Sequence, residues 1–287
     1  MKFLVLGASG MAGHMITLYL TENGHDVTGF DLKKISYCKS IVGDARDTDY
    51  LKKIIDEGRF DSIINCVGIL NQFAEQYKEL AVFLNSYLPH FLAKITDDTK
   101  THIIHMSTDC VFSGHTGNYA EDDLSDAEDL YGKTKFLGEV DYPGCLTIRT
   151  SIIGRELNTA HGLVEWFLSQ EGKTVPGYKK AIFSGLTTFS LSEIISKIIS
   201  DYPDIRGIRQ IASEPISKYD LLNLVKKTYG LTTAIEPDVT VINNRTLNAE
   251  KFKRETNIKI PSWEYMIDQM HRDSTPYEKM RHYHAHE

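Results

Sequence analysis

Tyr131-Gly-Lys-Thr-Lys135 sets a phenol and an ammonium four residues apart. On a helix that is one turn, so both project from the same face. A phenol ionises near pH ~10 and is a poor partner for proton transfer at neutral pH unless its anion is stabilised. A neighbouring lysine charge supplies that stabilisation and draws the phenol toward the working range. Ser107-Thr108 lies upstream, with Thr108 23 residues before the tyrosine. Its hydroxyls could polarise a carbonyl.

A second group is Gly7-Ala-Ser-Gly10-Met-Ala-Gly13. Gly7 permits a tight turn, Gly10 lets the backbone approach a pyrophosphate, and Gly13 allows a helix to pack closely on a strand. The helix start then offers free N–H groups and a partial positive charge to phosphates. The spacing is GxxGxxG, not the GxGxxG of most dehydrogenases. Asp31 follows 18 residues after Gly13, near the place of a ribose-binding carboxylate. Asp31 favours a free 2′-hydroxyl and hence NADH, whereas Lys33 and Lys34 can reach a 2′-phosphate. The expected coenzyme is NADPH, with NADH also accepted. Asp44 of Gly43-Asp44 is expected at the adenine edge, and Asn65-Cys66-Val67-Gly68 at a strand end beside the coenzyme path.

These residues need a scaffold whose strands end where they lie. Short apolar runs at Lys2–Leu6, residues 25–31, 62–66, 102–107 and 145–150 alternate with helical patterns, the signature of a parallel sheet with crossover helices. Helices are expected from Met11 to Leu20, from a Thr48 cap to about Gly58, through a long region to about Ile95, and over Tyr131–Val140. Pro89 must kink the long one or open a new one. Beyond Ser151 the alternation breaks down: 163–168, 191–199 and 219–229 are helical and 208–212 is strand-like. The expected fold is α/β, a Rossmann-type doubly wound parallel sheet with a smaller C-terminal α/β substrate domain. Residues 1–151, with a return segment near 185–200, form the coenzyme domain; 152–184 and 201–287 form the substrate domain.

The 287 residues are 41% hydrophobic and carry a formal net charge of −7, a balance without the electrostatic footprint of nucleic-acid or anionic-membrane binding. Cys38, Cys66, Cys110 and Cys145 form no CxxC pair, which argues against a disulfide scaffold or a zinc ribbon. The apolar run Phe3–Leu6 is too short for a signal peptide, and no stretch approaches the ~20 apolar residues of a membrane span. A cytoplasmic monomer or homodimer is expected. His282, His284 and His286 alternate in the tail, read as a solvated terminus and not as a metal site.

Gly7–Gly13, Asn65–Gly68, Ser107-Thr-Asp-Cys-Val-Phe-Ser-Gly114 and Tyr131–Lys135 together resemble the extended short-chain dehydrogenase/reductases. Ser107–Gly114, Tyr119-Ala-Glu121 and Gly138-Glu139 narrow the likeness to the dTDP-4-dehydrorhamnose reductase family, strongly over about residues 1–155 and loosely over 185–270. The resemblance implies a catalytic triad of Thr108, Tyr131 and Lys135, reducing C4 of a nucleotide-linked 4-keto-6-deoxy sugar for polysaccharide precursors. Tyr131 would donate the proton, Thr108 would hold the oxygen, and Lys135 would bind the nicotinamide ribose and tune Tyr131. The coenzyme set it implies adds Ser9, Met11, Ala12, Ala45, Asn85 and Ser107 to the residues above. The implied sugar contacts are Thr108, Val111, Phe112 and Ile152. Ile152 stands where the rhamnose enzymes usually carry a tryptophan, so a UDP-2-acetamido-4-keto-6-deoxyhexose fits at least as well. A nucleotide-sugar epimerase and a coenzyme-sensing binding protein on the same fold are the alternatives. A 4,6-dehydratase is disfavoured, because Cys110 replaces its glutamate.

Overall fold

The computed structural model describes residues 1–157, 161–277 and 280; the tail histidines lie outside the described residues. The first half alternates β1 (Lys2–Leu6), α1 (Met11–Glu22), β2 (Asp26–Asp31), β3 (Lys39–Val42), α2 (Thr48–Gly58) and β4 (Ser62–Asn65). Next come α3 (Asn71–Gln76), α4 (Lys78–Ala81), a π-helical stretch (Val82–Tyr87), α5 (Leu88–Thr96), β5 (His102–Met106), α6 (Leu130–Leu137) and β6 (Cys145–Arg149). The second half holds β7 (Ile152–Ile153), α7 (Leu163–Leu168), β8 (Thr174–Phe183), β9 (Leu186–Thr187), α8 (Thr188–Asp201), β10 (Gly207–Gln210) and β11 (Ile216–Ser217). It closes with α9 (Lys218–Tyr229), β12 (Ala234–Asn244), α10 (Glu250–Thr256) and α11 (Trp263–Arg272).

Seven parallel strands in the order β10-β6-β5-β4-β1-β2-β3 form the large sheet. Alternate side chains enter opposite cores: Phe3 and Val5 join Ile16, Leu20, Ile194 and Ile198 on one face, while Leu4 and Leu6 join Leu51, Ile55, Leu88 and Leu92 on the other. The chain reverses direction across the sheet between β1 and β4. That switch point opens a crevice at the carboxyl ends of the strands, where ligands of such sheets bind.

Local chemistry explains several boundaries. The α2 cap is Asp47, not Thr48: its Oδ1 accepts from the Tyr50 N–H at 3.0 Å. Pro89 stands in the first turn of α5, directly after the π-helical stretch.

The second half departs further from the sequence expectation. The strand-like run 208–212, expected in the substrate domain, falls on β10, which pairs with β6 as the edge of the large sheet, and α8 packs on α1. The smaller sheet has the order β11-β8-β12. Pro237 lies within β12. β12 is an edge strand, and edge strands accept proline.

Candidate active site

β1 runs directly into the glycine turn. Gly7 has φ 73°, a left-handed conformation that glycine adopts without a Cβ clash. A Cβ on Gly13 would lie 2.1 Å from the Gly7 carbonyl oxygen, so only glycine lets α1 sit this close to β1. Gly10 caps α1 with no side-chain hydrogen bond, which leaves the first-turn amides of Met11, Ala12 and Gly13 for an anion. At the end of β2, the Asp31 carboxylate accepts from the Ser9 N–H and the Leu32 N–H, each at 2.8 Å. The cradle, the open helix start and the carboxylate at its rim fit a dinucleotide. Lys33 and Lys34 are exposed in the loop that follows.

Tyr37, in that same loop, escaped the sequence reading; its hydroxyl donates to the Ala8 carbonyl at 2.7 Å and braces the turn. Asp44 accepts from the backbone N–H and Nε of Arg46 at 2.9 and 2.8 Å, and that partner holds its carboxyl below the usual range. Ala45 is buried in the core with Leu51 and Ile54.

At the end of β4, Asn65 Oδ1 accepts from the Val67 N–H at 3.1 Å and aims Cys66-Val67-Gly68 along the crevice. Burial pushes the Cys66 thiol up to about 12. Asn85, expected among the coenzyme contacts, is fully buried. Its carboxamide accepts from the Ile69 N–H at 2.8 Å and donates to the Ile69 carbonyl at 3.0 Å and to Thr134 Oγ1 at 3.1 Å. Both its ends are engaged within the protein, so it ties the post-β4 loop to α6.

Thr108 leaves β5 at the same end of the sheet. Its hydroxyl accepts from the Cys110 N–H at 3.1 Å and donates to Asp109 Oδ1 at 3.2 Å. α6 begins opposite, capped by Asp129, which accepts from the Gly132 N–H at 2.7 Å. This helix brings Tyr131 and Lys135 to the strand end, both buried. The Thr108 hydroxyl faces the Tyr131 phenol and favours its anion, but burial dominates and raises the phenol above its ordinary value. Lys135 Nζ donates to the Met106 carbonyl at 2.6 Å, and burial lowers its pKa to about 8. Both groups have lost water, and burial pushes each toward its uncharged form. Ser107 turns away from the crevice, its hydroxyl donating to Glu139 Oε1 at 2.7 Å.

Two of the expected sugar contacts are buried. Val111 and Phe112 are 0% exposed, clustered with Tyr119, Ala212 and Leu247. The Phe112 ring stacks on Tyr119 at 4.2 Å, and both side chains are packed into the core. Ile152 is partly exposed on β7. A residue without local signal takes a place near Thr108: Arg245, from just beyond β12, donates to the Phe112 carbonyl at 2.8 Å and to Cys110 Sγ at 3.4 Å. Among the described residues no group of acidic, histidine and cysteine side chains could hold a metal, and no helix is long and apolar enough to cross a membrane.

A doubly wound sheet, a glycine cradle at its switch point, and a tyrosine and lysine one helical turn apart beside a threonine define a nicotinamide-dependent oxidoreductase of the extended short-chain class. Residues 1–171 match the RmlD substrate binding domain family, and the chain belongs to that family. It is 33% identical to a probable low-salt glycan biosynthesis reductase of Haloferax volcanii, over 61% of this chain and 63% of that one. It is 26% identical to the dTDP-4-dehydrorhamnose reductase of Salmonella typhimurium, over 94% of this chain and 97% of the relative. Among solved structures, a hypothetical dTDP-4-dehydrorhamnose reductase from Sulfolobus tokodaii superposes with a TM-score of 0.79 at 26% identity, covering 91% of this chain and 97% of that one.

Proposed function

We propose that this chain reduces the keto group of a nucleotide-linked 4-keto-6-deoxy sugar, of the dTDP-4-dehydrorhamnose or UDP-2-acetamido-4-keto-6-deoxyhexose kind, with NADPH preferred and NADH accepted. One observation carries the reading: Thr108 and Tyr131 converge at the carboxyl end of β5, beside Lys135 and across the crevice from the glycine turn. The reductases among the relatives support the same class of substrate.

The first-turn amides of α1 would hold the pyrophosphate, Asp31 the adenosine ribose and Lys135 the nicotinamide ribose. When bound, the coenzyme supplies a hydride to the carbonyl carbon and is oxidised. Tyr131 donates the phenolic proton to the carbonyl oxygen, which becomes the new hydroxyl. The phenol holds its proton at neutral pH, so Tyr131 enters the step as an acid. Thr108 holds the same oxygen. Lys135, as an ammonium, stabilises the phenolate left behind.

The test is a panel of dTDP-, UDP- and GDP-linked 4-keto-6-deoxy sugars, followed by loss of NADPH absorbance. One nucleobase and sugar should be turned over with kcat/KM at least tenfold above the rest. A second arm supplies 4-hydroxy sugar nucleotides with NAD, from which no dehydrated 4-keto product should form, because Cys110 lacks a carboxyl. No turnover of any keto sugar, or a dehydrated product, would overturn the proposal.

A further inference from the structure

α6 carries one more polar group on its reactive stripe. Tyr131, Lys135 and Glu139 follow at intervals of four residues, with Glu139 just past the helix end. The three address three consecutive residues where β5 ends. Lys135 Nζ donates to the Met106 carbonyl at 2.6 Å, Ser107 Oγ donates to Glu139 Oε1 at 2.7 Å, and the Thr108 hydroxyl faces the Tyr131 phenol. Glu139 is itself clamped from β6. Arg149 donates to both of its carboxylate oxygens at 2.7 Å, and to the Glu121 carbonyl at 3.1 Å. The guanidinium also lies 5.2 Å from the centre of the Phe112 ring. The two side chains are 2% and 3% exposed. A buried ion pair commonly stabilises a fold no more than apolar residues of the same volume would, so stability alone does not account for a pair at this strand end.

We propose that Glu139 is a positioning residue: clamped by Arg149, it fixes the Ser107–Thr108 strand end against α6 and sets a carboxylate beside Lys135. The proposal rests on the reading of Thr108, Tyr131 and Lys135 as the reacting constellation. The groups facing Lys135 leave no other source of negative charge among the described residues. Cys66, at the end of β4, has its thiol pushed up to about 12 and stays protonated. His105, on β5, is kept neutral by burial and by Lys135 itself. Tyr131, one turn earlier, keeps its proton. Glu139 is the larger of the two groups that raise Lys135, against the burial that lowers it to about 8.

The test titrates the lysines of the coenzyme-free protein by NMR with 13C at Cε, Lys135 being assigned by the signal missing from Lys135→Met. In the native protein that signal should titrate near pH 8. Glu139→Gln should move the midpoint down by about one pH unit. Arg149→Met should move it up, because Glu139 then acts unopposed. Shifts of opposite sign do not arise from general loosening. Ser107→Ala keeps the ion pair; it should leave the midpoint in place and lower kcat about tenfold, with coenzyme Kd unchanged. Midpoints that stay put, or move the same way in Glu139→Gln and Arg149→Met, would overturn the proposal. If Arg149→Met does not fold, an unmoved midpoint in Glu139→Gln or a native kcat in Ser107→Ala is sufficient to overturn it. The titration needs no substrate, so it stands apart from a failure to reduce any sugar nucleotide.

Discussion

Burial makes the Tyr131 proton harder to give up, so the reducing step depends on stabilising the phenolate that is left behind. The phenol is buried and raised, so the acid form is present throughout the neutral range. Its single proton is the one the new hydroxyl needs. Removing only the hydroxyl, in Tyr131→Phe, should lower kcat ~100-fold or more while coenzyme binding persists; near-normal turnover in that variant would reject the assignment. Coenzyme choice also lies at this scale. Asp31 is already engaged by two backbone N–H groups, which leaves it close to the turn but less free to repel a phosphate. Lys33 and Lys34 are exposed just beyond it. Replacing both by alanine should move the kcat/KM ratio toward NADH by about tenfold, the loss of one or two exposed charge-assisted contacts to a phosphate. An unchanged ratio means that the lysines only solvate the loop.

Among the elements, the joint between β1 and α1 has the least tolerance. A Cβ at Gly13 would have to occupy space 2.1 Å from a backbone oxygen, and backbone cannot swing aside as the end of a side chain can. Gly13→Ala should therefore destabilise the protein by about 2–3 kcal/mol, the upper part of the usual overpacking range. It should also weaken coenzyme binding at least tenfold, as the helix start is pushed off the crevice. Denaturant melts and fluorescence titration with NADPH measure the two effects. A variant with native stability and native affinity would show that the joint is looser than its geometry.

At the scale of the whole molecule, the last described stretch returns to the first crossover helix. His14 on α1 is fully buried, with Nδ1 2.9 Å from the Gly10 carbonyl and its ring edge-on to Tyr277 at 5.7 Å. Tyr277 in turn donates to Asp273 Oδ2 at 2.6 Å. His105 lies equally deep on the central β5. Burial lowers both imidazoles, His105 well below its ordinary value. In the unfolded chain both would take up protons near pH ~6.5. The unfolded state thus binds more protons just below that pH, and stability falls as the solution is acidified through it. The urea midpoint should drop steadily between about pH 7 and pH 5, within the range where free histidine titrates. A flat profile would mean that the two rings are not held neutral.

Much of the site could be read along the chain because the relevant physics is local. A glycine cradle needs seven consecutive positions, Gly7 to Gly13. Tyr131 and Lys135 need only one turn of helix, and a strand end can be recognised by the apolar run before it. The parallel sheet followed from alternating periods in the same way. What the tertiary structure decided involves groups far apart in sequence or the loss of water. Arg245 meets Cys110 across 135 residues. Arg149 clamps Glu139, two short-range neighbours that become a pair only because β6 lies against the end of α6. Val111 and Phe112 occupy a promising stretch and are buried by packing that no local pattern announces. The protonation of Tyr131 and Lys135 belongs with these. Residue types name the groups, but how far each is removed from solvent depends on everything packed around it.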